Sequence, residues 1–159
     1  MGFFTADLCD NYCEQLEVLG PKFSSYGGTK KFKGEVVTIK LDKNNKDLAN
    51  YLKETDGTGK VVVVDVEERY FAVVGDNLMK FAFDNKFEGI IVNGYVRDTL
   101  MTKEFDVGLV AKGTCPRKYS PQQAGEIGVT VNIDGVDIET GYYIYADADG
   151  VVVAKEKIV

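Results

Sequence analysis

Hydrophobic and polar positions change period several times along the chain, and each change predicts an element. Leu8, Cys9, Tyr12, Cys13 and Leu16 recur at helical spacing, so residues 5–17 are expected to form an amphipathic helix with both thiols on its buried face. An irregular stretch with Tyr26-Gly27-Gly28 follows Gly20-Pro21, and Glu35 to Leu41 is the first β-rich run. Asn44 or Asn45 can cap a helix that carries Leu48, Tyr51 and Leu52 on one side and ends at Thr55-Asp56-Gly57-Thr58-Gly59. Val61 to Val64 is an unbroken β-branched run, the mark of a strand covered on both faces, and Tyr70 to Val74 reads as its neighbour.

Gly75-Asp76 opens a helix to about Asn85, with Leu78, Phe81 and Ala82 on its apolar side, and Gly89 to Val92 is a buried strand ending at Asn93-Gly94. This is a strand-helix-strand unit. In such a unit strand ends and helix starts gather on one sheet edge, so Gly75-Asp76 and Gly94 to Asp98 are expected to face one crevice. Val107 to Ala111 is a further strand, and residues 113–128 form a long polar loop of the kind that is functional or lies at an interface. The remainder reads as short strands, Val129 to Ile133, Val136 to Glu139, Tyr142 to Tyr145 and Val151 to Lys155, divided by the turn signals Asp134-Gly135, Thr140-Gly141 and Asp149-Gly150. The pattern is that of one α/β domain over residues 1–159 with a β-rich C-terminal part, and no repeat, linker or low-complexity segment interrupts it.

Composition narrows the chemistry. The chain has no histidine, which excludes Ser-His-Asp and Cys-His catalysis and His-ligated zinc. Cys9, Cys13 and Cys115 are an odd set without a CxxC pair, so neither a disulfide framework nor a thiolate metal site is indicated, and reduced thiols in a cytoplasm fit best. Any metal must sit mainly on oxygen ligands. A net charge of −6, with Lys30, Lys31 and Lys33 the one tight basic cluster, argues against direct nucleic-acid binding. No basic-then-apolar leader opens the sequence and no run approaches a bilayer span, so no membrane role is expected.

Asp76, followed after twenty residues by Arg97-Asp98, is the strongest constellation. Arginine offers a planar fork for a carboxylate, and aspartate offers hard oxygen to a magnesium-type cation that keeps waters and a substrate oxygen as further ligands. The backbone N–H groups of Gly75, Asp76, Asn77 and Leu78 open a helix, where an anion such as a substrate carboxylate is favoured. Spacing alone leaves open that Asp76 merely caps its helix and that Arg97 and Asp98 merely pair with neighbours. Asp147-Ala148-Asp149-Gly150 lacks the third acid and terminal glutamate of a calcium loop and reads as a β-turn. Gly57-Thr58-Gly59 is no dinucleotide fingerprint, and no lysine stands out for Schiff-base chemistry.

Gly75-Asp76-Asn77-Leu78 and Glu88 to Asp98, together with Leu8-Cys9-Asp10, Tyr26-Gly27-Gly28, Phe32-Lys33-Gly34 and Tyr145 to Val151, resemble the RraA-like group over nearly the whole chain. That group includes class II 4-hydroxy-4-methyl-2-oxoglutarate aldolases and regulators of ribonuclease E activity. The resemblance implies a swivelling β/β/α-type domain in a homotrimer, with the site near a subunit boundary. It implies that Gly75, Asp76, Asn77 and Leu78 contact substrate, that Arg97 binds it, and that Asp98 holds a divalent cation, Mg2+ or Mn2+, directly or through water. The implied activity is metal-assisted aldol cleavage of 4-hydroxy-4-methyl-2-oxoglutarate to pyruvate, with oxaloacetate decarboxylation as a second reaction through the same pyruvate enolate. Asp76 is expected to relay the proton that leaves the substrate hydroxyl.

Two departures qualify the resemblance. Longer aldolases of the group carry a C-terminal part that supplies an acid to the neighbouring site, and Gly141-Tyr142 stands where a Gly-Asp is frequent. The alternative is a non-catalytic regulator that binds a ribonuclease or its partner helicase through an acidic surface; the Asp98 carboxylate, which a cation would need, weighs for the enzyme. Methyl transfer, a third reading, lacks a glycine-rich loop after the first strand.

Overall fold

Val61, Val62, Val63 and Val64 are all fully buried, and strand alternation explains how four successive side chains can be. Val62 and Val64 enter an apolar cluster with Leu48, Leu52 and Met79, whereas Val61 and Val63 enter a second cluster with Ile133, Ile138 and Ile144. The central strand is therefore covered by helices on one face and by β structure on the other. The computed structural model that shows this describes residues 2–42, 44–118 and 124–159.

In chain order the elements are α1 (Thr5–Tyr12), a 3-10 turn (Cys13–Gln15), β1 (Leu16–Val18), β2 (Ser24–Ser25), β3 (Phe32–Lys40), α2 (Lys46–Glu54), β4 (Lys60–Asp65), β5 (Ala72–Val74) and α3 (Asp76–Asp84). Then come β6 (Gly89–Val96), α4 (Thr99–Thr102), β7 (Gly108–Thr114), β8 (Glu126–Ile127), β9 (Val131–Ile133), β10 (Val136–Ile138), β11 (Tyr143–Asp147) and β12 (Gly150–Ala154). Among the described residues one large mixed sheet runs β1-β12-β11-β3-β4-β6-β7-β2, with β5 also on β6 and β8 also on β3. The β3-β4-β6-β7 centre is parallel, and β9 and β10 form a separate hairpin. The α/β expectation agrees with this architecture, a large mixed sheet with few helices.

Local expectations differ in four places. The first helix stops at Tyr12 rather than near residue 17, because Leu16–Val18 pairs with the sheet edge, Leu16 opposite Ala154. Ladder bonds take over from helical ones, so Cys13 is exposed and Cys9 only partly buried, and the two thiols do not share a buried face. The helix is instead tied at its start by Asp147, whose carboxylate accepts from the Thr5 N–H at 2.7 Å and the Thr5 hydroxyl at 2.6 Å. The strand ending at Val74 lies beside β6 and not β4, since β3 and β6 already occupy both edges of β4. β6 passes through Asn93-Gly94 to Val96: its ladder to β7 resumes at Tyr95 after a register shift, and its ladder to β5 begins at Tyr95.

The fourth difference concerns residues 113–128. β7 takes Gly113 and Thr114, and Glu126–Ile127 pairs with β3, so the stretch is less loop than expected; residues 119–123 lie outside the described residues. Tyr26-Gly27-Gly28 also finds a structural role. The Tyr26 N–H donates to the Leu109 carbonyl at 2.7 Å, and a Cβ on Gly27 or Gly28 would collide with the backbone at Val107 and Phe105. The motif lets one backbone lie against another.

Candidate functional site

The parallel order β4-β6-β7 brings three strand C-termini to one edge, and β5 leads directly into α3 at the same edge. Gly75 is the N-cap of α3, in extended backbone at φ −133°. Arg97 follows β6, with its N–H donating to the Val74 carbonyl at 2.9 Å, so the two segments separated in sequence are joined by a backbone bond. Asp98 then turns the chain into α4 from a left-handed conformation, φ 58° and ψ 38°, which costs a non-glycine residue about 1 kcal/mol and is tolerated best by Asp and Asn.

That conformation aims the Asp98 carboxylate back at α3. Its Oδ2 accepts the Asp76 N–H at 3.2 Å, and a Cβ placed on Gly75 would stand 2.5 Å from the same oxygen. Glycine is required here for close approach. The anion at the start of α3 is thus, in part, Asp98 itself, so a substrate carboxylate there would share the helix start with it. The Asn77 N–H is likewise taken, by Asp76 Oδ1 at 2.9 Å. Leu78 is buried in the helix-side cluster, so its side chain belongs to the core and only its backbone can face the site.

Arg97 is held at two points. Nη1 donates to the Pro116 carbonyl at 3.3 Å, and Nε lies 3.9 Å from Asp98 Oδ2. With the side chain 34% exposed, most of its five N–H donors remain available to a ligand. A cavity of about 250 Å3 opens between Arg97 and Asp98 on one side and Thr114, Cys115 and Pro116 on the other, with Thr99 at its rim. Sequence reasoning missed this second wall. The signal was present: β7 is a parallel neighbour of β6, so the residues just past its C-terminus must reach the same edge.

Cys115 is buried beneath the wall, continuing the ladder through its N–H to the Val96 carbonyl at 3.0 Å. Tyr70 leans over it, its ring edge-on to Tyr95 at 5.0 Å. Electrostatic repulsion from Cys115 and a hydrogen bond with it push the Tyr70 phenol above its ordinary value. Lys112, with its side chain 3% exposed, is buried enough to suggest imine chemistry, but its ammonium is tied to Asp134 at 2.6 Å and Glu68 at 3.6 Å. It pins the β9-β10 hairpin rather than facing the cavity.

The donor set can be weighed against a divalent cation. Among the described residues no three acidic or thiol side chains gather into a protein-only cage. Asp98 Oδ1 accepts no hydrogen bond from the described residues, and its side chain is 37% exposed. One or two carboxylates, completed by waters and substrate oxygens, is how magnesium is commonly held. The residues therefore fit a magnesium-type ion that shares its coordination with solvent and substrate, and do not fit an ion that demands a full set of side chains.

A relative from Azotobacter vinelandii, named "Putative 4-hydroxy-4-methyl-2-oxoglutarate aldolase", is 39% identical, the match covering 99% of this chain and 98% of its own. One of the same name from Acinetobacter baylyi is 37% identical over 99% of this chain and 96% of its own. The chain is thus matched by relatives of its own length, so a longer C-terminal part does not separate it from proteins bearing that name. Among solved structures, the RNA-processing inhibitor RraA from Thermus thermophilis superposes with a TM-score of 0.93 at 34% identity, covering 100% of this chain and 96% of that one. The S-adenosylmethionine: 2-dimethylmenaquinone methyltransferase from Geobacillus kaustophilus gives a TM-score of 0.93 at 38% identity, covering 98% and 97%. The RraA-like family model, described as Aldolase/RraA, matches residues 5–153, and the chain belongs to that family.

Proposed function

We propose that this chain is a divalent-cation-dependent aldolase that cleaves 4-hydroxy-4-methyl-2-oxoglutarate to pyruvate, with decarboxylation of oxaloacetate as a second reaction of the same site. The observation that carries the reading is the convergence on one cavity of a guanidinium with spare donors, Arg97, and a carboxylate with a free oxygen, Asp98. Arg97 takes the carboxylate of the 2-oxo acid through paired N–H donors. Asp98 offers Oδ1 to the cation while the Asp76 N–H steadies Oδ2. A bound Mg2+ or Mn2+ supplies Lewis-acid polarisation of the 2-oxo group.

Cleavage breaks the bond between C3 and C4, turns the C4 hydroxyl into a carbonyl and leaves a proton to be carried away. Asp76, half-buried at the start of α3 and within a backbone bond of Asp98, receives it through water. The same proton returned to C3 completes pyruvate. Exposed Leu100 and Met101 on α4, just past Asp98, give the site an apolar flank, and this supports its closure by a second subunit, in the homotrimer we propose. The test is pyruvate release from 4-hydroxy-4-methyl-2-oxoglutarate and from oxaloacetate, with Mg2+ or Mn2+ and then with chelator. Full turnover in excess chelator would overturn the cation, and no release at all would overturn the aldolase.

The likeness to the Thermus RraA favours a second reading, a regulator that binds a ribonuclease or helicase and turns nothing over. Tight binding of such a partner by a chain inactive on both acids would support it. Methyl transfer finds no support in the site: the segment after β3, Leu41-Asp42-Lys43-Asn44-Asn45, has no glycine to cradle a nucleoside cofactor.

A further inference from the structure

Both ends of 4-hydroxy-4-methyl-2-oxoglutarate are carboxylates, yet among the described residues lining the cavity only Arg97 is cationic. A single guanidinium cannot hold anions at opposite ends of a five-carbon chain. We propose that Arg117 is a specificity-determining residue of this site, binding the distal carboxylate of a 2-oxo dicarboxylic acid while Arg97 holds the 2-oxo acid end. The inference rests on the aldolase reading for its substrate and on the following geometry for its residue.

The peptide group that leads into Arg117 is part of the site, because its carbonyl, that of Pro116, accepts from Arg97 Nη1 at 3.3 Å. The carbonyl of Arg117 is fixed too: it accepts the Ala72 N–H at 2.6 Å and lies 3.9 Å from Cys115 Sγ. Anchored on both sides, the Arg117 backbone directly follows Pro116, the last residue that lines the cavity. Its side chain, in contrast, is exposed and makes no ion pair or hydrogen bond with any described residue.

The chain has three arginines, which sharpens the contrast. Arg69 is spent on structure, donating to the Val66 carbonyl at 3.0 Å, the Leu41 carbonyl at 2.8 Å and Asp42 at 3.3 Å. Arg97 is pre-oriented inside the cavity. Arg117 is a fixed backbone with an unspent fork, the arrangement that bidentate recognition of an incoming carboxylate needs and that costs nothing to release from a protein partner.

Binding separates this inference from catalysis. Calorimetric titration with 2-oxoglutarate and with 2-oxopentanoate in Mg2+ compares two acids of equal chain length, neither of which bears the C4 hydroxyl that cleavage requires; they differ in a carboxylate against a methyl. The wild-type chain is expected to bind 2-oxoglutarate at least tenfold more tightly. Arg117→Gln should abolish that preference and leave 2-oxopentanoate unchanged, Arg117→Lys should retain part of it, and Lys118→Gln should retain it all. An unaltered preference in Arg117→Gln, an equal loss in Lys118→Gln, or no preference in the wild-type chain each overturns the proposal. A chain that shows the preference and its loss yet releases no pyruvate keeps the recognition role and refutes the aldolase.

Discussion

Gly75→Ala separates the geometry of the site from the stability of the fold. A Cβ at Gly75 would stand 2.5 Å from Asp98 Oδ2 and 3.4 Å from Arg97 Cγ. Carbon and oxygen in contact settle no closer than about 3.3 Å, so the carboxylate must withdraw by roughly 0.8 Å. The bond from the Asp76 N–H, already 3.2 Å long, is then lost. A hydrogen bond to a charged group contributes about 1.5–3 kcal/mol when shielded, but this carboxylate is 37% exposed, which brings the loss nearer to ~1 kcal/mol.

Against that stands a gain. At φ −133° and ψ −160° alanine is unstrained, and removing glycine's freedom from the unfolded chain returns about 0.4–1 kcal/mol. Net stability should change by under about 1 kcal/mol, less than roughly 2–4 °C in Tm. Catalysis should suffer far more, because displacing a reacting group by close to 1 Å can cost about 100-fold. The expectation is a Tm near wild type with kcat/KM for pyruvate release down by about 10- to 100-fold. Wild-type turnover in a folded Gly75→Ala chain would refute the placement of Asp98 as the reason for glycine.

Arg97→Lys keeps charge but loses the fork, so KM should rise with cation affinity intact, whereas Asp98→Asn should weaken cation affinity and lower turnover more than about tenfold, over 1.4 kcal/mol of barrier. Excess Mg2+ should partly restore only the Asp98 variant, and metal titrations of both check it. For Asp147, burial pushes the carboxyl up but hydrogen bonds from the Thr5 hydroxyl, the Thr5 N–H and the Asp149 N–H, with Lys31 nearby, outweigh it and hold the group below its ordinary value. A lowered folded value means the stabilisation is present above the unfolded carboxylate range and is lost as pH falls through the folded value. Asp147→Asn should therefore cost up to about 1 kcal/mol at pH 7, and melting curves of the two chains should converge under acid. Sedimentation at micromolar concentration should give a trimer, and a monomer there would remove the shared site.

Much of the helix-and-strand order could be read from residue patterns because burial enforces them. The valine run at 61–64 could only be a strand covered twice, and Gly75 to Asn85 could only present Leu78 and Ala82 inward as a helix. Asp134-Gly135 turns the β9-β10 hairpin as local backbone preference dictates, and the β11-β12 turn falls at Ala148-Asp149, with Gly150 already paired to Asp147. What the pattern could not carry was competition between partners. Leu8, Cys9, Tyr12, Cys13 and Leu16 have helical spacing throughout, yet the last of them joins the sheet edge, because a ladder to β12 was available there and sequence periodicity does not know its neighbours.

The same division runs through the site. Gly75, Asp76, Arg97 and Asp98 could be picked out by residue type and by their place at strand and helix ends, all of which are properties of short segments. Only the tertiary structure decided that Asp98 adopts a left-handed backbone, that its carboxylate lies against Gly75, and that Thr114, Cys115 and Pro116 wall the cavity. Those contacts join residues from β5, β6 and β7 that are far apart in the chain, and the packing of parallel strands fixes them, not any one segment's preference.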